Sequence, residues 1–477
     1  MLARVTQWRD SRYFWETLVF SVAVLLFLRT VWFGWVYDDE VEIVANTHLR
    51  SLTNLRTILT TTAWAGSGIE TFLYRPLTNL SYALNYTVSG LAPWSYRLAN
   101  VLLHATITVL VCRLGRLWRL SPAAAGMGAL LFAVHPVHVE VVAGVVGRRD
   151  LLAAVFTLWM VLAHRTAVAR DGWRMVLPVV AFAGAMLSKE VGVVAVALVA
   201  AQDWLTTPAD RRRDLAADRG RLVLYASYLF TLAGYLLVRS AVAGGVDVLG
   251  THPLDNPLVA ASAGTRVATA LAVLGKGLQL LAAPIALSPD YSYDAIPLVT
   301  SPTDWRLWST LALLAILLWA ATSRRVRELA LLLAVTWYAI AIVPGSNLLL
   351  RSGTIFGERL LYLPSVAACL AGGYALVAVG RRQRQLALAL GLAAIAAFSA
   401  QTVRYSAAWR SNLTLFEWAV RTVPNSTKAH HKLGEVYYLE GRTADAIREL
   451  ERALEIAPGN TFAAQTLATV RSRSGPP

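Results

Sequence analysis

Apolar runs of about twenty residues recur through the first 400 positions of the chain, broken by short polar stretches rich in arginine. A hydrocarbon core roughly 30 Å thick takes about 20 helical residues to cross, so each run is long enough to span it. Inside a bilayer a backbone satisfies its own hydrogen bonds only as a helix or a closed barrel, and barrel strands alternate apolar with polar positions. These runs do not alternate. The pattern predicts an all-α, polytopic membrane bundle of about eleven spans, near 16–36, 97–117, 123–140, 150–168, 175–190, 191–207, 221–240, 306–322, 329–347, 360–379 and 386–403. The chain thus divides into a multi-span domain, 1–403, with a first outer loop over about 37–96, and a C-terminal segment, 404–477, without long apolar runs.

Positive charge near span ends marks the cytoplasmic side. Arg4, Arg9 and Arg12 precede the first run, which is too long for a signal-peptide core and lacks a small-residue cleavage site, so it stays as a span. The clusters Arg113/Arg116/Arg119, Arg165/Arg170/Arg174, Arg211 to Arg221, Arg324/Arg325/Arg327 and Arg381/Arg382/Arg384 all face the cytoplasm in an eleven-span threading. One run, 266–287, is left over. Lys276 and Gln279 within it and Pro284 at its close suit a re-entrant or interfacial helix. The threading places the C-terminal segment outside; a twelve-span rival would place it in the cytoplasm.

Composition agrees, with 56% hydrophobic and only 15% charged residues. The net charge of +15 does not imply a nucleic-acid partner, because the arginines sit at span ends, where they report topology. Cys112 and Cys369 lie in apolar segments and offer neither a disulfide framework nor a metal spacing.

The threading gathers the polar clusters on the outer face. Asp38, Asp39 and Glu40 follow the first span, Tyr74 and Arg75 lie in the first outer loop, and His135, His138 and Glu140 end the third span. Arg148, Arg149 and Asp150 open the fourth, Lys189 and Glu190 tip the span-five hairpin, and Glu358 and Arg359 open the tenth. Ionisable groups at membrane depth are costly unless paired or facing a cavity, so their convergence marks a functional site. A carboxylate beside a like charge has its pKa raised toward the operating pH, which suits Asp38 or Asp39 to general-base work. Paired acids also suit a hard cation, although no calcium or magnesium loop pattern accompanies them. His135 and His138 are three apart, but Pro136 disturbs the helical face a zinc pair would need, and donation to phosphate or backbone fits equally. Arg148 and Arg149 carry forks that match a phosphate or anchor to lipid headgroups. Lys189–Glu190 and Glu358–Arg359 read either as neutralised span ends or as charges with separate partners, since adjacent helical residues do not face each other.

From Thr427 the chain has the 34-residue spacing of a tetratricopeptide helix-turn-helix unit, in Leu433, Gly434, Tyr437, Gly441, Ala446, Leu450, Ala453 and Pro458. A half-repeat precedes it, with Phe416, Ala419 and Pro424 in register, and a capping helix is expected over Thr461 to Arg473. Such a unit is either a capped hairpin with no partner or a peptide-presenting surface.

The stretches WVYDDEVEIVAN, YRPLTNLSYALNY, NVLLHA, LFAVHPVHVEVVAGVVGRRDLLA, LSKEVGV, DNPL, SPDYSYDAIP and GERLLYLPS resemble, in order, those of the transmembrane and tetratricopeptide-repeat O-mannosyltransferases. The resemblance implies a GT-C fold and an inverting glycosyltransferase that moves a sugar, mannose in the family, from a polyprenyl-phosphate carrier to a hydroxyl of an exported protein. It implies a multi-pass bacterial inner-membrane enzyme whose active site and repeat face the periplasm, with membrane lipids, the lipid-linked donor and the protein acceptor as partners. Asp38 and Asp39 correspond to the catalytic first-loop acids. Arg75, His135, His138, Arg148, Arg149, Lys189, Glu358 and Arg359 are the expected donor-phosphate set, supported by Glu40, Tyr74, Glu140, Asp150, Glu190, Tyr291 and Tyr362. No cofactor and no divalent metal are implied, since relatives using a lipid monophosphate donor are metal-independent. The chain departs from the family in having about one complete repeat and in carrying Arg149 where a small residue is usual. A non-catalytic scaffold recruiting exported partners is the competing reading. A transporter would want polar residues at midplane and internal repeats, which the sequence lacks.

Overall fold

A computed structural model of the chain describes residues 12–170, 172–244, 251–323 and 328–473. Arg4, Arg9 and the cluster Arg324, Arg325 and Arg327 lie outside the described residues. All regular structure among the described residues is helical.

Among the described residues five helices are long and apolar enough to cross a membrane: Tyr13–Trp32, Trp94–Leu117, Val145–Ala169, Arg219–Ala243 and Arg384–Arg410. Gly172–Ser188, Trp305–Ala320, Leu329–Gly345 and Ser365–Gly380 are shorter apolar helices at expected span positions. The span expected at 123–140 is not straight, because Pro122–Val134 and Pro136–Ala143 meet at a bend of 52°. Pro136 cannot donate the backbone hydrogen bond that would continue the helix. The imidazole of His135 instead caps the segment that follows, accepting from the N–H of Val137 at 3.4 Å. The expected spans 175–190 and 191–207 appear as Val176–Ser188 and Val194–Thr206, 13 residues each. The leftover run forms one unbroken helix, Ala263–Ala282, packed against Trp305–Thr322 with one side buried.

Close packing rests on small residues. A Cβ at Gly373 would lie 2.3 Å from the backbone N of Gly128, so Pro122–Val134 and Ser365–Gly380 touch backbone to backbone. Glycines at such crossings let membrane helices gain contact area where no hydrophobic drive separates helix from lipid. Cys112 and Cys369 are buried and free within this core.

The last apolar helix runs Arg384–Ser406 and leads, through a 3-10 turn, into Asn412–Thr422, Thr427–Leu439, Thr443–Ile456 and Thr461–Arg473. Leu433, Tyr437, Ala446, Leu450 and Ala453 fill the core of this unit, and Gly434 admits Leu450, which a Cβ there would meet at 2.7 Å. The unit leans on the membrane domain. Thr427 donates its N–H to Tyr293 O at 2.8 Å, Asp294 donates to Asn425 O at 2.8 Å, and Lys428 pairs with Asp255 at 2.7 Å.

Candidate active site

The first span ends in a turn at Tyr37, whose φ of 55° is left-handed and uncommon for a residue with a side chain. The turn is held from the other end of the chain. The Tyr37 N–H donates to Asn412 Oδ1 at 2.8 Å, and the Tyr37 ring meets Phe416 edge-on at 5.5 Å. A single π-helical turn, Glu40–Val44, follows.

This geometry sends the two neighbouring aspartates to different surroundings. Asp39 is fully buried; its oxygens accept the N–H of Val36 at 3.3 Å and of Val146 at 3.0 Å, and Arg97 lies 3.7 Å away. Burial pushes its carboxyl up to about 6, with Arg97 and the backbone donors pulling the other way. Asp38 keeps a third of its side chain exposed and lines a small pocket with Tyr37, Glu140, Arg149, Asp150, Arg359 and Trp409.

Around that pocket runs a ladder of opposite charges. Arg149 gives Nη1 to Glu42 at 2.8 Å, while Nη2 stands 3.9 Å from Asp38 and Nε 4.0 Å from Asp150. Asp150 accepts from Lys189 at 2.5 Å, and the next residue, Glu190, accepts from Arg75 at 2.9 Å. On the facing wall Arg359 donates its side chain to one oxygen of Glu140 and its backbone N–H to the other, the latter at 2.9 Å. The expected outer-face cluster is therefore one connected group in Asp38, Arg75, Glu140, Arg149, Asp150, Lys189, Glu190 and Arg359.

Other candidate residues lie apart from the pocket. Arg148 points away from it, its guanidinium donating to Asn100 at 2.5 Å, Asn85 at 3.0 Å, Ser81 at 3.2 Å and Tyr96 O at 2.6 Å, which fixes one helix start to two others. His135 sits 3.0 Å from Leu281 O and His138 2.8 Å from Ser365 Oγ, both buried behind the bend. Tyr362 shares that interior, 2.7 Å from His104 Nδ1. Tyr74 donates to Leu59 O at 2.9 Å. Glu40 accepts from Asn412 at 2.8 Å, on the side of the C-terminal unit. Glu358 is buried and accepts from Ser288 N at 2.7 Å and Tyr291 Oη at 2.8 Å; burial, with Glu140 nearby, holds its carboxyl well above the usual carboxylate range.

Sequence reasoning missed Glu42, Arg97, Tyr37 and Trp409. Glu42 carried a signal, since it lies one helical turn beyond Asp38 and continues the acidic run. Arg97 is the first residue of the expected span 97–117 and was given no role. Among the described residues no group of three or more His, Cys, Asp and Glu side chains is set to hold a metal ion.

Residues 251–318 match the family described as "Protein O-mannosyl-transferase TMTC, DUF1736", and residues 427–460 match the tetratricopeptide repeat. Protein O-mannosyl-transferase TMTC4 of Homo sapiens is 32% identical over 486 residues, covering 91% of this chain and 65% of that protein. TMTC3 of Mus musculus is 29% identical over 469 residues, covering 93% of this chain and 51% of that protein. The chain is thus similar to the TMTC protein O-mannosyl-transferases over more than nine tenths of its own length. It spans less than two thirds of the length of these two relatives. A crystal structure of ArnT from Cupriavidus metallidurans bound to undecaprenyl phosphate aligns with a TM-score of 0.49 at 16% identity, over 96% of this chain and 78% of that one. The segment that matches the TMTC model contains Asp255, Ser288, Asp290 and Tyr291. Those residues tie distant segments together: Ser288 and Tyr291 hold Glu358, Asp290 accepts from Ser426, and Asp255 pairs with Lys428.

Proposed function

We propose that the chain is an inverting glycosyltransferase that moves mannose from a polyprenyl-phosphate carrier to a hydroxyl, a Ser or Thr side chain of an exported protein. The observation that carries this reading is one partly exposed carboxylate, Asp38, facing a pocket walled by two guanidinium groups, Arg149 and Arg359. An acceptor hydroxyl lying against Asp38 gives up its proton to that carboxylate as its oxygen attacks the anomeric carbon. The new carbon–oxygen bond forms as the bond to the phosphate oxygen on the opposite face breaks, so the configuration inverts. The phosphate leaves as an anion, and Arg359 donates hydrogen bonds to it where its charge grows. Arg359 is already oriented by both oxygens of Glu140, so little reorganisation is needed when the leaving group departs. In this scheme the site opens on the exported face of a bacterial inner membrane, and no divalent metal takes part.

Asp39 is the positioning partner rather than the base, because its oxygens are occupied by backbone N–H groups and it has no access to the pocket. The test is transfer from polyprenyl-phosphate mannose to a Ser/Thr peptide by purified protein. Asp38→Asn should lower turnover by roughly 10²- to 10⁴-fold with donor affinity nearly intact. Parental turnover in Asp38→Asn, Asp39→Asn and the double variant sinks the mechanism and favours a scaffold.

A further inference from the structure

Four buried polar atoms of the charge ladder have no hydrogen-bond partner: Glu42 Oε1, Arg149 Nε, Asp150 Oδ2 and Glu190 Oε1. Two of them face each other. Arg149 Nε and Asp150 Oδ2 stand 4.0 Å apart, too far for a direct hydrogen bond, on residues that both line the pocket and whose side chains are 9% and 7% exposed. A buried donor and a buried acceptor each left unmade cost stability, so such a pair calls for a third group between or beside them.

The chemistry of that group is restricted. It must accept from the Arg149 N–H and donate to the Asp150 carboxylate. A phosphate only accepts and is repelled by Asp150; an ammonium only donates and is repelled by Arg149; a metal cation is repelled likewise. A hydroxyl does both, and an oxygen about 2.8 Å from each atom fits a 4.0 Å separation. The corner is also placed for it. Arg149 and Asp150 line the same pocket as Asp38 and Arg359, the proposed base and phosphate clamp, and Arg149 Nη2 stands 3.9 Å from Asp38.

The geometry points to the Arg149–Asp150 corner as the sugar subsite of the pocket, one ring hydroxyl of the donor hexose bridging Arg149 Nε and Asp150 Oδ2. This rests on the lipid-carrier reading above. Glu42 fixes the guanidinium from behind and Lys189 fixes the carboxylate, so both bridging atoms are held before the sugar arrives. The corner thereby selects a glycosylated carrier over a bare one, while Arg359 reads the phosphate common to both.

The experiment measures binding of three probes to the full chain in detergent: polyprenyl phosphate, polyprenyl-phosphate mannose, and the set of single-deoxy mannose analogues on the same lipid. One deoxy analogue should bind roughly tenfold or more weaker than the parent sugar. Asp150→Asn, or Arg149→Lys where the first variant fails to fold, should erase that difference, so that the parent sugar and the deoxy analogue bind alike. Equal binding of every deoxy analogue by the parental protein would give the corner to a water or to the acceptor, and the subsite is wrong. A variant that loses bare and glycosylated lipid alike also overturns it, since the corner would then read phosphate. If the parental protein binds neither lipid, the carrier reading fails and takes the subsite with it.

Discussion

The helix Arg148–Arg170 carries a buried charge cluster near each end, and the two are built differently. Near its far end His164 lies 3.0 Å from Asp203, which also accepts from Arg221 at 3.1 Å and Tyr225 at 3.2 Å, while Tyr228 takes the other imidazole nitrogen at 2.9 Å. No buried polar side-chain atom of these five residues lacks a partner, whereas the cluster at the near end, around Arg149 and Asp150, leaves several unpaired. Satisfied networks rigidify a fold; partly satisfied ones carry a standing cost that a ligand removes. The contrast separates a cluster that braces the bundle from the one proposed above to meet a ligand.

That contrast can be broken experimentally. Its largest expected consequence is on the rate, where Asp38→Asn should cost roughly 10²- to 10⁴-fold with little change in thermal midpoint. Asp203→Asn should do the reverse. Removing one partner of a buried pair costs about 3 kcal/mol, read as a lowered unfolding midpoint by tryptophan fluorescence, while the folded fraction keeps parental turnover per molecule. A dead but stable Asp203→Asn would give the far cluster a role in the chemistry.

The neighbouring arginines offer a finer version. Arg359→Gln should weaken polyprenyl-phosphate binding about tenfold, since charge-assisted hydrogen bonds are worth roughly 1.5–3 kcal/mol. Arg148→Gln should leave that affinity unchanged and lower the unfolding midpoint, because it strands buried acceptors on Asn85, Asn100 and Tyr96. Titration would show equal donor affinity for parent and Arg148→Gln; a tenfold loss there would return Arg148 to the phosphate site.

The smallest effect is on pH. The carboxyl of Asp39 is raised from an ordinary 3.8 to about 6 by burial, so folding favours its protonated form. Its stabilising contribution is complete below about pH 4 and is lost as pH rises through about 6. The unfolding midpoint should therefore slope downward from about pH 4 to about pH 6, and Asp39→Asn should flatten that slope. An unchanged slope in the variant assigns the titration elsewhere.

Much of this was legible in the sequence. The apolar runs gave the helices, the span-end arginines suggested that the acids and bases of six separate segments share one face, and the 34-residue spacing located Thr427–Leu439, Thr443–Ile456 and the capping helix Thr461–Arg473. What sequence could not settle was direction. Arg148 and Arg149 are consecutive, and one step along a helix turns a side chain by about 100°, so one enters a helix interface and the other a pocket. His135 and His138 were expected in the donor-phosphate set; Pro136 makes the bend a local feature, but their burial against Leu281 O and Ser365 Oγ comes from distant packing that no local pattern shows. Arg97 was invisible, and Glu42 only hinted at, for the complementary reason. Each earns its place through a partner, Arg149 or Asp39, that lies far away in the chain.

The brace on Tyr37 has a consequence for how the molecule is made. Its left-handed backbone is held by Asn412, which follows it by 375 positions. Synthesis proceeds from the N-terminal end, so the first span and the acidic loop leave the ribosome long before the residue that fixes their turn. Until Asn412 and Phe416 arrive, nothing from the C-terminal unit restrains Tyr37, and a backbone in this region costs roughly 1–3 kcal/mol to hold. The nascent loop is free to leave that conformation, which would turn Asp38 away from the guanidinium groups opposite it. Maturation of the pocket is thus coupled to completion of the helical unit, and a chain stopped short of Asn412 would insert its apolar helices yet lack a fixed base.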